Sequence, residues 1–366
     1  MRIGIDARFW NETGIGRYIR NLVIYIQKSD TKNDYVLFIK PEDEVSIKSA
    51  LTSPRISYRA VNIPWHTLKE QVQFPRLIKK EKIELMHFPY FAVPIFYKGS
   101  YIVTIHDLIL HHFSTGQAST LPFFVYQAKR AAYKIVMKKA ADKAEKIIAV
   151  SNATKQEIID HLNVPKGKVD VTYEGFDIGE KSKDIELPKN PYFLHVGNVY
   201  PHKNVELLLT AFSKISKNAN LLIVGKKDYF MNRLIKFADT HGMNKNVIFL
   251  HTVSDDELVS YYKNASGVVV SSFMEGFGLP AVEAMAYGTL VISSDIPSLR
   301  EVTGGNALFF DPYSKSDLIE KLNLVLNPTQ ELNDMKKDAK KYVQKYTWEK
   351  MAKETVRIYE SSTRLR

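Results

Sequence analysis

Short apolar runs rich in β-branched residues alternate with longer helical patterns along almost the whole chain. The candidate strands of the first half are 4–7, 35–39, 56–61, 85–88, 101–105, 146–150 and 169–173. Those of the second half are 192–196, 220–224, 247–250, 267–271, 289–293 and 307–310. Because such alternation is typical of parallel sheets wrapped by helices, it predicts an α/β fold.

The length of 366 residues exceeds what one hydrophobic core usually serves, so we expect two domains. The segment 178–191 is polar, charged and interrupted by prolines, as interdomain linkers are. This pattern predicts an N-terminal domain over 1–177 and a C-terminal domain over 192–347. Residues 348–366 are expected to form a last helix that returns to the N-terminal domain.

The composition argues against several classes of protein. No run approaches the ~20 apolar residues of a membrane span, and the chain opens on a strand-like segment rather than on a signal peptide. We therefore expect a cytoplasmic protein. The absence of cysteine excludes disulfides and thiolate metal sites.

The net charge of +11 suits polyanionic partners, which include nucleic acid, an anionic membrane face and phosphorylated substrates. The sequence has neither an RNA-binding aromatic signature nor a zinc-finger spacing, so we do not expect nucleic acid as a partner. The basic segment 126–143 is compatible with an anionic membrane surface. An ordinary solvated helix face explains the same charges equally well.

The most informative motif is the string EGFGLPAVE at 275–283. An apolar strand leads into a glycine-bearing loop, Pro280 is expected at the first helical position, and Gly288 is expected to end the helix in a left-handed conformation. Loops of this kind lie at the carboxyl ends of parallel strands, where open α/β sheets bind ligands.

The residue types in this string suit a phosphorylated sugar. Gly276 and Gly278 allow close backbone approach, and the helix amino terminus favours a phosphate. Glu275 in the loop and Glu283, expected in the first helical turn, would accept hydrogen bonds from sugar and ribose hydroxyls. Helix capping alone explains neither Glu275 nor both glycines.

With these residues in view, the chain resembles the family 4 glycosyltransferases over almost its whole length. The resemblance implies the GT-B architecture, in which two Rossmann-like domains with parallel sheets face a central cleft. It implies that Glu275 contacts the transferred sugar and that Glu283 holds the ribose. It also implies that the backbone of Phe277, Gly278 and Leu279 meets the sugar and the diphosphate.

A second candidate site follows the strand 192–196, where the string GNVYPHKN places Lys203 in a strand-to-helix turn. A cation here would neutralise a departing diphosphate, although surface lysines are common. Members of the family often have an arginine at the position of Asn198, which we include among the donor-binding residues. His202 and Arg17 are candidates to replace that missing cation.

In the first domain, the string TGIGRY at 13–18 forms a short glycine turn before a helix. Gly14, Gly16 and Arg17 match only part of a dinucleotide-binding fingerprint, so the turn is weak evidence by itself. The resemblance implies that this loop approaches the diphosphate and the acceptor.

His106 and Asp107 end a buried strand, where polar side chains need hydrogen bonds or a function. The resemblance implies that His106 lies against the hydroxymethyl group of the donor sugar, with Asp107 orienting it or anchoring the loop. Ser151 is interpreted mainly as a helix cap. Glu174 stands where the family often has asparagine.

In the second domain, Ser254 and Glu257 form a capping-box pattern that begins a helix. The resemblance implies that the main chain of Val253, just before it, meets the nucleobase. Such a contact would leave little side-chain record of which base is bound.

The chain has no Asp-x-Asp motif, so neither a metal ion nor another cofactor is expected. The resemblance implies retention of anomeric configuration by front-face attack. It also favours mannose transfer from GDP-mannose to a glycan or lipid-linked acceptor of bacterial lipopolysaccharide, capsule or exopolysaccharide, on the inner face of the membrane.

Other functions stay open at this point. The donor could instead carry UDP, dTDP or ADP, and a sugar-nucleotide epimerase or a phosphorylase shares the architecture. A nucleotide-sugar sensor or a membrane scaffold is the non-enzymatic alternative. The sequence gives no second acid for a hydrolase and no complete glycine fingerprint for a dehydrogenase.

Overall fold

A computed structural model describes residues 1–113, 123–177, 179, 182–215, 219–243 and 245–363. The chain divides into two compact units. The first unit comprises Met1–His111, Leu121–Gly175 and Tyr346–Arg366, and the second comprises His112–Thr120 and Phe176–Lys345. In the predicted linker 178–191, residues 178, 180 and 181 lie outside the described residues, and residues 182–191 form neither helix nor strand.

The described residues contain thirteen strands. In the first unit they are β1 Arg2–Asp6, β2 Asp34–Ile39, β3 Ile56–Ala60, β4 Leu85–Phe88, β5 Tyr101–Ile105, β6 Lys146–Ala149 and β7 Val169–Val171. In the second they are β8 Tyr192–Val196, β9 Asn220–Val224, β10 Val247–Leu250, β11 Gly267–Val270, β12 Leu290–Ser294 and β13 Leu308–Phe310.

Fourteen α-helices lie in the described parts of the chain. Those that precede β8 in the chain are α1 Gly14–Ser29, α2 Glu44–Ala50, α3 Leu68–Lys80, α4 Ile109–His112, α5 Phe123–Lys143 and α6 Asn152–Leu162. The others are α7 Val205–Phe212, α8 Tyr229–Thr240, α9 Asp255–Asn264, α10 Leu279–Ala286, α11 Pro297–Thr303, α12 Lys315–Leu326, α13 Gln330–Val343 and α14 Trp348–Thr363.

The first unit is built on a seven-stranded sheet with the order β3-β2-β1-β4-β5-β6-β7, and all of its pairings are parallel. In the register of β1, Ile3 faces Tyr35 of β2 and Leu85 of β4. Because both faces are covered, strands such as β4 and β5 are buried along their whole length.

The last helix, α14, packs against α1 in the first unit. Tyr359 on α14 lies with its hydroxyl 2.6 Å from Nδ1 of His87, and Nε2 of His87 lies 2.8 Å from Oγ1 of Thr104. Burial, with the nearby charge of His106, lowers the pKa of His87 to about 3. The helix is therefore joined to the sheet through a neutral, fully hydrogen-bonded histidine.

The second unit is built on a six-stranded parallel sheet with the order β10-β9-β8-β11-β12-β13. Counted within the unit, this is the strand order of a dinucleotide-binding Rossmann fold. Val268 of β11 is in register with Leu194 of β8. The core lies between the sheet and its helices, where Phe193, Leu208 and Ile292 are fully buried.

The predicted α/β class, with two parallel sheets and helices around them, is confirmed, and each predicted strand is present. The errors are at strand ends. The first strand begins at Arg2 and stops at Asp6 rather than spanning 4–7, and β7 stops at Val171 rather than at 173. Among the helices that the structure describes, none is both long and apolar enough to cross a membrane.

Candidate functional site

The second unit has a topological switch point between β8 and β11, which are neighbours in the sheet although the chain leaves them in opposite directions. Ligands of open α/β sheets bind in the crevice at the carboxyl ends of such strands. The loops there are 197–204 after β8 and 271–278 after β11. These are the two loops that carry Lys203 and Glu275.

Main-chain groups of the first loop bind the second loop directly. The Ser271 hydroxyl donates to the carbonyl of Lys203 at 2.8 Å, and the N–H of Phe273 donates to the carbonyl of His202 at 2.8 Å. Asn204, with a left-handed φ of 55°, donates from its amide side chain to the carbonyl of Pro312. The crevice is therefore held in place by hydrogen bonds at its base.

The side chains of Lys203 and Glu275 form an ion pair in this crevice. The Lys203 ammonium donates to both carboxylate oxygens of Glu275, at 2.6 and 2.8 Å, and the Ser272 hydroxyl donates to Oε1 at 2.6 Å. The side chain of Glu275 is 9% exposed and that of Lys203 is 22% exposed. The two predicted catalytic residues of this unit are thus brought together.

Burial acts to raise the pKa of Glu275, but the Lys203 charge and the hydrogen bonds from Lys203 and Ser272 outweigh it and lower the pKa below its ordinary value. Glu275 is consequently an anion at neutral pH and accepts hydrogen bonds only. The neighbouring ammonium compensates its charge, so an anionic ligand can approach a carboxylate that would otherwise repel it.

Helix α10 begins one residue earlier than predicted. Gly278, with a φ of 94°, is its N-cap, so Leu279 is the first helical residue and Pro280 the second. A β-carbon at Gly278 would meet the side chain of Leu299, which explains the need for glycine. Glu283 is then the fifth helical residue, so its predicted place in the first turn is wrong.

The predicted end of the same helix is confirmed at Gly288, which has a φ of 77°. The N–H of Gly288 donates to the carbonyl of Met285, and that of Thr289 donates to the carbonyl of Ala284. These two bonds are those of a Schellman motif. They turn the chain directly into β12.

Glu283 lies on α10 and is 6% exposed. The hydroxyl of Tyr262 donates to its Oε2 at 2.7 Å, and the Tyr262 ring stacks on Tyr287. The structure therefore gives Glu283 an aromatic partner on α9, distinct from the partners of Glu275.

Two buried histidines lie near the pair. Burial, with the Lys203 charge as a further cause, lowers the pKa of both His195 and His202 to about 4. His202 is therefore neutral at physiological pH. The expectation that it replaces a missing cation beside Asn198 is wrong, because its environment disfavours the charged form.

Asn198 follows Gly197, which has a φ of 130° that favours glycine. A β-carbon at Gly225, which follows β9, would collide with the carbonyl oxygen of Gly197. The turns after β8 and β9 are therefore in direct contact.

The predicted base-side segment follows β10. Val253 is half-buried and precedes α9. The predicted capping box is confirmed, since Ser254 accepts from the N–H of Glu257 and Glu257 accepts from the N–H of Ser254 at 2.9 Å.

In the first unit, Gly14 is the first residue of α1, and Gly16 and Arg17 lie in its first turn. A β-carbon at Gly16 would collide with the main-chain carbonyls of Phe9 and Trp10. This close approach of two backbone segments explains why residue 16 is a glycine. A β-carbon at Gly14, in contrast, would meet open space.

His106 lies at the carboxyl end of β5 with both ring nitrogens engaged. Nδ1 is 3.1 Å from Oε1 of Glu174, and Nε2 is 3.0 Å from the carbonyl of Pro89. Burial acts to lower the pKa of His106, but Glu174 outweighs it and raises the pKa above its ordinary value. Asp107 accepts from the N–H of Ile109 at 3.0 Å and so anchors the loop. Ser151 is the N-cap of α6, accepting from the N–H of Thr154.

Several partners of the candidate site residues have no local signal in the sequence. Ser272 and Tyr262 donate to Glu275 and Glu283, and Glu174, which the sequence marks only as a departure from the family pattern, pairs with His106. Arg8, which is fully buried, pairs with Asp6 at 2.7 Å and Glu70 at 2.6 Å at the carboxyl end of β1. In the sequence, the one signal for this cluster is that Arg8 directly follows the predicted strand 4–7.

Comparison with known families gives two adjoining matches. Residues 13–180 match the family described as "Glycosyltransferase Family 4", and residues 177–342 match the family described as "Glycosyl transferases group 1". The boundary between the two matches falls where the chain passes from the first unit to the second.

Individual proteins are similar over shorter or longer stretches. The chain is 27% identical to the O-antigen chain mannosyltransferase RfbU of Salmonella typhimurium, over 84% of this chain and 82% of that one. It is 32% identical to an uncharacterized glycosyltransferase of Methanocaldococcus jannaschii, over 58% of this chain and 59% of that one. It is 27% identical to the serotype-specific mannosyltransferase WbdA of Escherichia coli, over 57% of this chain but 28% of that one.

Solved structures share the fold at low identity. Sucrose-phosphate synthase from Thermosynechococcus elongatus has a TM-score of 0.81 at 20% identity, with all of both chains covered. Anabaena Alr3699/HepE in complex with UDP-glucose has a TM-score of 0.77 at 16% identity, with 99% of this chain and 100% of that chain covered.

The buried histidines predict a stability loss in mild acid. The folded pKa values of His87, His195 and His202 are about 3, 4 and 4, below the ordinary value of about 6.5. At a pH between the folded and the unfolded pKa values, the unfolded chain binds more protons than the folded chain. Each histidine therefore lowers the free energy of unfolding by about 1 kcal/mol for every unit by which the pH falls.

Urea unfolding between about pH 7 and about pH 5 measures this loss. The variant His202→Gln should show a smaller slope, since one of the three groups no longer titrates. A free energy of unfolding that stays constant or rises over this range would contradict the assignment of buried, neutral histidines.

Proposed function

The chain belongs to the family 4 glycosyltransferases of the GT-B type, and from this premise we propose that it is a retaining hexosyltransferase. It transfers mannose from GDP-mannose to a glycan or lipid-linked acceptor in the synthesis of a bacterial surface polysaccharide. The donor binds in the crevice of the second unit at the switch point, and the carboxyl edge of the first sheet serves the acceptor.

The observation that carries the proposal is the Lys203–Glu275 pair at the ends of β8 and β11. An ammonium has three N–H donors, and the carboxylate of Glu275 takes two of them. The third can bind a phosphate oxygen of the donor. Glu275, held as an anion, accepts hydrogen bonds from hydroxyls of the transferred sugar.

In the proposed step, the bond between the anomeric carbon and the diphosphate oxygen breaks while the acceptor oxygen bonds to the same face of the sugar. The proton of the acceptor hydroxyl passes to the departing phosphate oxygen. Lys203 stabilises the negative charge that grows on the diphosphate, and a preorganised cation at that place lowers the barrier. Configuration at the anomeric carbon is retained.

Glu283 and the Val253 segment complete the donor site in this proposal. The Glu283 carboxylate, oriented by the Tyr262 hydroxyl, accepts hydrogen bonds from the ribose. The N–H groups at the start of α10, after Phe277 and Gly278, favour a phosphate. We propose that no divalent metal takes part and that side-chain cations and the helix dipole supply the positive charge.

The preference for mannose rests on the mannosyltransferase relatives, one of which is named for the O-antigen chain and the other for serotype specificity. The neighbour solved with UDP-glucose supports the fold alone at 16% identity. A mannosyl acceptor in this setting is a growing glycan chain, carried on lipid in the cytoplasmic leaflet.

Helix α5 offers a surface for that leaflet. Phe124, Val125 and Ile135, all on this one helix, expose 84%, 45% and 54% of their surface. Lysines on the same helix are exposed beside them, at 129, 134, 139 and 143. Exposed apolar side chains next to basic ones suit an anionic lipid surface, so we propose peripheral binding of this helix at the inner face of the membrane.

Glu275→Ala and Lys203→Ala should each lower turnover by at least ~100-fold, the scale of losing one preorganised electrostatic group. Transfer of labelled mannose from GDP-mannose to acceptor measures the effect. Glu186→Ala, at an exposed carboxylate of the same unit, is the control and should be unchanged. Near-normal transfer by either variant, with thermal unfolding confirming a folded protein, would refute the role of that residue.

A thermal-shift screen identifies the donor nucleotide. GDP should raise the melting temperature more than UDP, dTDP or ADP at equal concentration, because tighter ligands stabilise the folded state more. A larger shift with another diphosphate would replace guanosine in the proposal but keep the glycosyltransferase site. The absence of any shift would count against a nucleotide-sugar donor.

Co-sedimentation with vesicles tests the membrane surface. The wild-type protein should pellet with vesicles rich in phosphatidylglycerol and should be released by salt, because the lysines are screened. The double variant Phe124→Ser and Ile135→Ser should bind more weakly at the same ionic strength. Equal binding to neutral vesicles, or none to either kind, would contradict the proposal.

A further inference from the structure

The crevice around Lys203 lacks positive charge for the ligand proposed above, and this inference rests on that proposed function. Lys203 shares its charge with Glu275, at 2.6 and 2.8 Å, so the pair is close to neutral as a unit. His202 is neutral because burial lowers its pKa to about 4. A nucleoside diphosphate sugar brings about two negative charges, so a further cation is needed nearby.

The candidates are restricted by topology. The loops at the carboxyl ends of β8, β9 and β11 are the described segments 197–204, 225–228 and 271–278. Besides Lys203 and the neutral His202, the basic residues in these loops are Lys226 and Lys227, which follow β9. Both are exposed, and within the described chain neither has a hydrogen-bond or ion-pair partner.

The contact between Gly225 and Gly197 brings these lysines to the site. The N–H of Gly197 donates to the carbonyl of Val224 at 2.9 Å, and a β-carbon at residue 225 would collide with the carbonyl oxygen of Gly197. The residue after Gly197 is Asn198, and the residue after Gly225 is Lys226. The residues that follow these touching glycines, Asn198 and Lys226, therefore both lie at the carboxyl edge of the sheet, in the neighbouring turns after β8 and β9.

Within the described chain the neighbouring acid, Asp228, forms no ion pair with either lysine. Asp228 is the N-cap of α8, and its carboxylate accepts from the N–H of Met231 at 2.9 Å. Arg233, one turn further along α8, is paired with Glu206 at 2.8 Å. The positive charge of the 226–227 pair is thus available to a ligand, whereas that of Arg233 is already compensated.

We propose that Lys226 and Lys227 bind the diphosphate of the donor and supply the positive charge that Asn198 cannot. They act by binding and charge compensation on the side of the crevice away from Glu275. Their positions on a short loop anchored by two touching glycines restrict the reach of both side chains to the β8–β9 side of the switch point.

The test is calorimetric titration of the whole protein with GDP, UDP, dTDP and ADP, each compared with its nucleoside. The double variant Lys226→Ala and Lys227→Ala should bind the preferred diphosphate about 10- to 100-fold more weakly, the scale of lost charge-assisted hydrogen bonds. Its affinity for the nucleoside should be unchanged. Adding Asn198→Arg to the double variant should restore most of the diphosphate affinity.

The matched control is Lys189→Ala with Lys245→Ala. These two lysines are exposed in the same unit but precede β8 and β10, at the amino edge of the sheet. The control removes the same charge, so it corrects for any general electrostatic effect. It should bind the diphosphate like the wild type once the salt concentration is near physiological.

The outcomes distinguish a failure of the proposed function from a failure of the role proposed for Lys226 and Lys227. If none of GDP, UDP, dTDP and ADP binds the wild-type protein, the proposed function fails and this inference fails with it. If the wild type binds but the double variant binds equally well, or the control is weakened as much, the role of Lys226 and Lys227 is overturned while the donor site stands. Equal loss of nucleoside and diphosphate affinity would also overturn it.

Discussion

The ion pair of Lys203 and Glu275 is the interaction on which the site of the second unit depends. It joins the loop after β8 to the loop after β11, and its atoms are 2.6 and 2.8 Å apart. Buried ion pairs of this kind add little net stability, because desolvation offsets their attraction. Losing one partner, however, leaves an uncompensated buried charge. The small net stability that such a pair adds is consistent with the binding role proposed for it.

The strand order determines where that pair lies. In a parallel sheet with the order β10-β9-β8-β11-β12-β13, the connections after β8 and β11 leave on opposite faces and open a crevice. Hydrogen bonds from the Ser271 hydroxyl and the Phe273 N–H to carbonyls of the loop after β8 fix the two loops against each other. Gly278 and Gly225 then allow backbone approaches that a β-carbon would block. The ion pair, the glycine-bearing turns and the topological switch point therefore all lie at the carboxyl edge of the sheet.

Much of this architecture could be predicted from the sequence, since buried parallel strands are continuous apolar runs and α10 is bounded by Gly278 and Gly288. Strand ends were less predictable, as at β1 and β7, because hydrogen bonding decides them. The pairing of Lys203 with Glu275, across 72 positions, and of His106 with Glu174, across 68, depends on tertiary structure. The neutral state of His202 was missed for the same reason, because burial is not visible in a local pattern.

A crystal structure of the protein with GDP tests the account most directly. We expect the diphosphate at the carboxyl ends of β8 and β11, with a phosphate oxygen within hydrogen-bond distance of the Lys203 ammonium. The ribose hydroxyls should lie within hydrogen-bond distance of Glu283. A nucleotide bound elsewhere, with the Lys203–Glu275 pair out of contact with it, would contradict the claim that this pair forms the donor site.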